Sequence, residues 1–435
     1  MTLTTQISYT GNVIEEADQT AMYFSGNPFI LELKKLASVH INDGFAHSKD
    51  EEYKYTKPEL FNSSLGSFGS SNDKKQAAID NELLQTFDSK IHLLQFFNGR
   101  LDHQASRIET ESNGVYIGSI HGVPAQIDIK RYLNCTAQAN SDVYTHLNTA
   151  MFSDILVVYI PDGVTLENDI FISEHYESIE KISTAPRILF IAGVNSSARV
   201  IHHYTTSGDS KHSSVLVTEI FGDKNSKIDW LKIQEGKENS FAMDQTFAEL
   251  KDGAHFSIHT FALSGTYCRN NLIIRLLGRD IEAHLNGLYL AGKNRLIDNH
   301  TLVDHIAPHS VSYELYKGIA GHNGTGIFNG KVFVRQAAQK TNAFQENKNL
   351  LLSDEAHMYA KPQLEIFADD VKCSHGATTG QLDEEALFYL QSRGIGFNEA
   401  REMLMHAYSA ELINKVIQDP IKTYLTRKAE ENFPD

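Results

Sequence analysis

A chain of 435 residues that is 41% hydrophobic, 22% charged and 10% aromatic has the composition of a folded globular protein, long enough to bury a large core. Its formal net charge of -16 argues against broad binding to nucleic acid or to an anionic membrane surface, both of which draw on clustered positive charge. Met1 to Tyr9 carry no basic run followed by an apolar stretch, so neither a secretion signal nor a transmembrane helix is expected, and the cytoplasm is the expected compartment.

Residues 1–100 read as an N-terminal helical region. Phe29 to Leu36 and then Asp80 to Phe97 carry apolar residues at helical spacing, the second run through Leu83, Leu84, Phe87, Ile91, Leu94 and Phe97. Between them Asn62 to Asp73, rich in Ser, Gly and Asn, reads as a connection.

From about Arg107 the pattern changes to short runs of β-branched and aromatic residues, as at Val115–Ile117, Ala125–Ile129 and Ile155–Ile160. Such runs continue from Ile188 to Val334 with almost no helical signal between them. Ser264-Gly265, Ala291-Gly292 and Ala320-Gly321 each follow a strand, at intervals of 27 (292 minus 265) and 29 (321 minus 292) residues. That spacing predicts a solenoid, whose stacked coils bury a core no single coil can bury, with glycine at corners where φ turns positive. The fold class is therefore mainly β, a parallel β-helix over 101–378, with an irregular sandwich as the alternative. Gly321-His322-Asn323-Gly324-Thr325-Gly326 reads as one of its turns rather than a nucleotide cradle.

The remainder, 379–435, is a C-terminal helical region. Its first helix is capped by Asp383, favoured by Glu384 and Glu385 in the first turn, and stopped at Arg393-Gly394. A second starts at Asn398-Glu399 and carries Ala400, Met403, Leu404, Ala407, Ile413 and Val416 on a broad apolar face, part of which is left for a partner.

Three cysteines, Cys135, Cys268 and Cys373, are too far apart and odd in number for a disulfide framework, so reduced thiols are expected. The strongest chemical signal is at the junction of the strand and helical regions, Asp369-Asp370-Val371-Lys372-Cys373-Ser374-His375-Gly376-Ala377-Thr378. On a strand Cys373 and His375 share a face, where thiolate and imidazole can bind iron or zinc or act as nucleophile and base. Lys372 is placed to lower the thiol pKa. Two ligands do not close a metal site, so the rest must come from elsewhere in the chain or from another subunit. A second grouping, Asp298, His300, Asp304, His305 and His309, reads as hydrogen-bonded histidines before it reads as a metal site, since His300 and His305 have opposite strand parity. No phosphate-binding loop, GxSxG elbow or dinucleotide fingerprint is present.

Asp370-Val371-Lys372-Cys373-Ser374-His375-Gly376-Ala377-Thr378, with Asp383, Phe388-Tyr389-Leu390, Ser392-Arg393-Gly394-Ile395 and Glu399-Ala400, closely resembles the C-terminal signature of the SufB/SufD family of iron-sulfur cluster assembly proteins. Tyr53-Lys54-Tyr55-Thr56, Tyr159-Ile160-Pro161-Asp162-Gly163-Val164 and Glu314-Leu315-Tyr316-Lys317-Gly318 agree in order. Gly376 directly after the histidine resembles the SufD branch, because SufB tends to carry glutamate there. The resemblance implies a right-handed parallel β-helix and a non-catalytic scaffold subunit that pairs with SufB through the β-helices. It also implies docking of the SufC ATPase on the C-terminal helices, with Asp383, Phe388, Tyr389, Arg393 and Gly394 as the partner-binding residues. A transient Fe-S cluster would be shared with SufB at the subunit interface, held by His375 and less securely by Cys373, with no nucleotide bound by this chain. A homodimer is an option when the chain is isolated, and FAD has no local motif here. Ser310 stands where many relatives carry a cysteine, so no role of that thiol carries over. The reading from another class is a carbohydrate-active β-helix enzyme using Asp298 and Asp304.

Overall fold

The computed structural model describes residues 13, 15–41, 44–68, 82–87, 90–109, 113–139 and 142–434. Two sheets run the length of a β-solenoid of about 8 turns. Numbered along the chain, the first sheet has the spatial order β2 (Arg100–Arg107), β1 (Ile91–Phe97), β5 (Asp169–Glu177), β8 (Ser197–Ser207), β10 (Lys227–Glu235), β12 (His255–Ser264), β14 (Glu282–Ala291), β16 (Val311–Ala320), β18 (Asn342–Leu351) and β20 (Lys372–Gly380). The second has β19 (His357–Ile366), β17 (Thr325–Val334), β15 (Leu296–His305), β13 (Tyr267–Leu276), β11 (Ser240–Leu250), β9 (His212–Gly222), β7 (Arg187–Ala192), β4 (Leu156–Ile160) and β3 (Tyr116–Ser119), with β6 (Ile182–Thr184) paired to β9. Every pairing is parallel except β1 with β2 and β3 with β4.

The coil is set by residues that hold φ positive at its corners. One ladder comprises Gly163, Asn195, Asn225, Gly253, Asp280, His309 and Lys340, and another Gly208, Asn239, Gly265, Asn294 and His322. Each corner amide is then free to bond the next coil, as Asn195 N–H does to the Lys224 carbonyl at 2.8 Å and Asn225 N–H to that of Asp252 at 2.8 Å. Of the three glycines whose spacing predicts the repeat, only Gly265 takes the left-handed conformation. At the next two corners Asn294 and His322 do so, because a short polar side chain tolerates αL nearly as well. Gly318 serves packing instead, since a Cβ there would meet the ring of Tyr289.

Three expectations are corrected. Ile91–Phe97 is strand β1, not the end of a helix: it pairs in register with β5 and is backed by β2, so tertiary pairing overrides its helical spacing. Ala125–Ile129 is a turn leading into a 3-10 turn at Ile129–Arg131. The C-terminal region holds three helices, not two. β-structure thus starts at Ile91, ahead of residue 101, and the stretch that follows also contains helices.

Among the described residues, besides a helical stretch over 15–21, the helices are α1 (Pro28–Ile41), α2 (Pro58–Ser64), α3 (Glu82–Gln85), α4 (Cys135–Ala139), α5 (Val143–Met151), α6 (Glu384–Ser392), α7 (Phe397–Ile413) and α8 (Asp419–Asn432). The first five belong to the N-terminal part, where Phe61, Tyr144 and Leu147 pack on Val215, Met243 and Tyr267 of the second sheet. On the opposite side Met405, Leu412, Ile413, Ile421 and Leu425 of α7 and α8 cover Ile201, Leu231, Phe261 and Leu288 of the first sheet. Between the sheets lies the main core, with Trp230, Phe190, Ile258 and Leu285 fully buried. Among the described residues no helix is long and apolar enough to cross a membrane.

Candidate functional site

Side chains alternate along each strand, so in-register residues form columns through the solenoid. One interior column of the first sheet passes through Trp230, Ile258, Leu285, Glu314 and Gln345 and ends at His375. Its neighbour passes through Phe256, Ala283, Ser312 and Ala343 and ends at Cys373. β20 and β19 are the last strands of their sheets, each with one edge unpaired within the chain. Cys373 and His375 thus stand at an open end of the coil, where the next turn of side chains is missing.

Cys373 is half-buried and packs against the apolar cluster of Val332, Val334, Ala338, Ala343 and Ala368. Burial pushes its thiol pKa up, against a smaller opposing effect of a backbone hydrogen bond from Ala343. Lys372 lies on the other face of β20 by strand alternation, and the lowering expected from it is not found. Cys268 is deep in the core with its thiol pushed up to about 12 by burial, and Cys135 is exposed; all three thiols are free. His375 is exposed. Beneath it Gln345 Nε2 donates to Glu314 Oε2 at 2.6 Å, and both residues are buried.

The second grouping divides between faces. Asp298 and His300 face outward from β15, with His300 Nε2 3.0 Å from Asp298 Oδ1. Arg269 Nη1 reaches Asp298 at 2.9 Å, Thr56 Oγ1 at 2.7 Å and the Glu52 carbonyl at 3.1 Å, with its guanidinium 4.1 Å from the Tyr53 ring centroid. Tyr53 in turn donates to Asp142. Tyr53-Lys54-Tyr55-Thr56 is therefore a strap fastened across the outer face of the second sheet. His305 faces inward, 2.9 Å from the Ser312 hydroxyl, Asp304 is held by Arg335 at 2.9 and 3.0 Å, and His309 is a corner residue. Asp298 and Asp304 are buried and ion-paired, so neither lines a groove open to a sugar. Among the described residues no three or more His, Cys, Asp or Glu side chains gather closely enough to hold a metal ion.

Asp383 caps α6 by accepting from the amides of Glu385 at 2.9 Å and Ala386 at 3.2 Å, and Gly394 ends it with a φ of 92°. Phe388 and Tyr389 stand 73% and 57% exposed on its surface. Arg393 lies over the Tyr389 ring at 5.2 Å. Arg269, Lys317 and Gln345 were not singled out by spacing or composition, because each acts through a residue distant in sequence. Lys317 and the strap nevertheless fall inside stretches that carry the family resemblance.

The architecture is that of a parallel β-solenoid protein with helices on both outer faces and a Cys-x-His strand at its open end. Residues 27–172 match the family description "SufBD protein N-terminal region" and residues 175–408 match "SUF system FeS cluster assembly, SufBD core domain". The iron-sulfur cluster assembly protein SufD of Escherichia coli is 31% identical over 91% of this chain and 90% of its own length. A chloroplastic protein of Arabidopsis thaliana, ABCI7, is 28% identical over 84% of this chain and 78% of its own. An iron-sulfur cluster assembly SufBD family protein of Synechocystis is 28% identical over 85% and 83%. The chain belongs to the SufBD family of iron-sulfur cluster assembly proteins and is a homologue of SufD.

Proposed function

We propose that this chain is the SufD-type scaffold subunit of a complex with SufB and SufC, in which the open end of the solenoid meets SufB and the C-terminal helices dock the SufC ATPase. The observation that carries the reading is the coincidence of two things at one end of the coil. The unpaired edges of β19 and β20 are templates for pairing with another chain, and the same strand β20 ends two interior columns in Cys373 and His375. A partner seated there covers both side chains and supplies the ligands that this chain lacks. The nascent cluster is the cargo of that interface, with His375 as its nitrogen donor and Cys373, packed and held protonated by burial, in the lesser role.

His375→Ala, reconstituted with SufB and SufC, tests this. The complex should assemble with unchanged stoichiometry, while iron and acid-labile sulfide per complex fall several-fold. Full cluster content in that variant would remove His375 from the ligand set.

A further inference from the structure

We infer that Gln345 is a positioning residue for His375, accepting a hydrogen bond from one ring N–H of the imidazole and so leaving the other nitrogen bare and directed out of the open end. The inference rests on the reading of His375 as a ligand for what the interface carries, but the contact it describes belongs to this chain alone.

The geometry comes from the ladder. Gln345 on β18 is the in-register partner of His375 on β20, so their side chains stack one coil apart, about 4.8 Å, on the same interior face. The Gln345 amide is fixed from below, because its Nε2 donates to Glu314 Oε2 at 2.6 Å. It is also hemmed in from the side, since Gly330 of β17 approaches so closely that a Cβ there would collide with Nε2. With the amide nitrogen committed downward, the carbonyl Oε1 is left over. It is buried, and it has no hydrogen-bond partner within the chain. Buried carbonyl oxygens are nearly always satisfied, and the ring above it carries an N–H in either neutral tautomer. A histidine that binds metal through one ring nitrogen commonly donates the other N–H to a carbonyl or carboxylate, which fixes tautomer and ring plane together. Gln345 occupies the place of that acceptor.

The isolated full chain, labelled with 15N in its histidine rings, tests this by long-range 1H–15N correlation at pH 7.5, with the His375→Ala spectrum assigning the signal. The wild type should show His375 as predominantly one neutral tautomer, with a ring N–H that exchanges slowly with water. Gln345→Met, which keeps length and apolar bulk, should move the tautomer ratio about five- to tenfold towards that of free histidine, the size of one neutral hydrogen bond. Should Gln345→Met fail to fold, as judged by circular dichroism, slow exchange of the ring N–H in the wild type stands as the test. An averaged tautomer or a fast-exchanging N–H in the wild type, or a folded Gln345→Met with an unchanged ratio, overturns the inference. Normal cluster content in His375→Ala would sink the ligand reading while leaving this contact standing, so the two failures are told apart.

Discussion

Lys317 of β16 reaches out of the solenoid wall to α7, placing Nζ 2.8 Å from the Glu411 carboxylate and 2.7 Å from the Tyr408 carbonyl, and 4.0 Å from the Tyr408 ring centroid. Apolar contacts alone leave a packed helix free to slide; a buried ammonium with three fixed partners sets its register. Lys317→Met keeps the stem and removes the charge, taking away both hydrogen bonds that tie β16 to α7. The expected cost is about 1–3 kcal/mol, read as faster hydrogen exchange in α7 with β16 still protected. Equal loss of protection in both elements would show that the ammonium serves the whole fold and not this one attachment.

The strap over the second sheet hangs on Arg269. Its partner Asp298 is 0% exposed, and the carboxyl stays below its usual pKa despite burial because His300, Arg269 and Thr56 offset the desolvation. Removing the cation by Arg269→Met leaves that buried carboxylate only His300 and Thr56, and the loss should be about 3 kcal/mol. The double variant Arg269→Met with Asp298→Leu should recover much of it, because the under-compensated buried charge is then gone. Urea midpoints give both values, and proteolysis near residue 50 reports release of the strap. A double variant no more stable than the single would place the loss in packing of the Tyr53 ring.

Some of this was legible in the residues and some was not. The solenoid could be read because strands at near-constant spacing admit few other folds, and the cap and stop of α6 could be read because Asp383 and Gly394 act on their own neighbours. Ile91–Phe97 reads as helix because Ile91, Leu94 and Phe97 recur at helical spacing, while a strand apolar on both faces, with Leu94 and Phe96 inward and Ile91 and Leu93 outward, shows no period of two, and only the distant β5 decides. Asn294 carries no corner signal in the sequence, and within the turn legible at Gly321 to Gly326 nothing marks His322 as the residue at positive φ, because αL tolerance is a property of several residue types, whereas glycine alone advertises it. The third C-terminal helix was missed although Asp419-Pro420 is an ordinary helix start. Cys373 and His375 could be placed on one face from parity, but that this face is the inner one follows only from Ala343 and Gln345 beneath them.

Glu314 should make stability fall as pH rises. Burial pushes its carboxyl up to about 7, with the hydrogen bond from Gln345 among the smaller opposing effects. The unfolded chain ionises it near 4.5, so between about 4.5 and 7 the folded state holds the extra proton and stability declines with pH. The contribution is fully present below 4.5 and lost as pH passes 7, a span of about 3 kcal/mol. Glu314→Gln should remove that slope and be the more stable protein at pH 8. Parallel pH dependences for the two proteins, from denaturant midpoints at pH 5 to 8, would show that Glu314 ionises as readily folded as unfolded.

Exposed aromatics on α6 offer the cleanest test of ATPase docking. Phe388 and Tyr389 are largely solvated in this chain, so replacing both with serine removes little from its own packing, and stability should move by no more than about 0.5 kcal/mol. If they anchor SufC, each is a large side chain entering a desolvated contact, and loss of the pair should weaken binding by about thirtyfold or more. Deletion of everything after Asp383 is a poorer experiment, because α7 and α8 cover Leu231, Phe261 and Leu288 of the first sheet, and stripping them exposes an apolar face that changes solubility and binding together. Calorimetric titration of SufC into Phe388→Ser/Tyr389→Ser separates the two effects. Unchanged affinity would move the docking surface off α6, to the outward side of α7 where Phe397 and Met403 are also exposed.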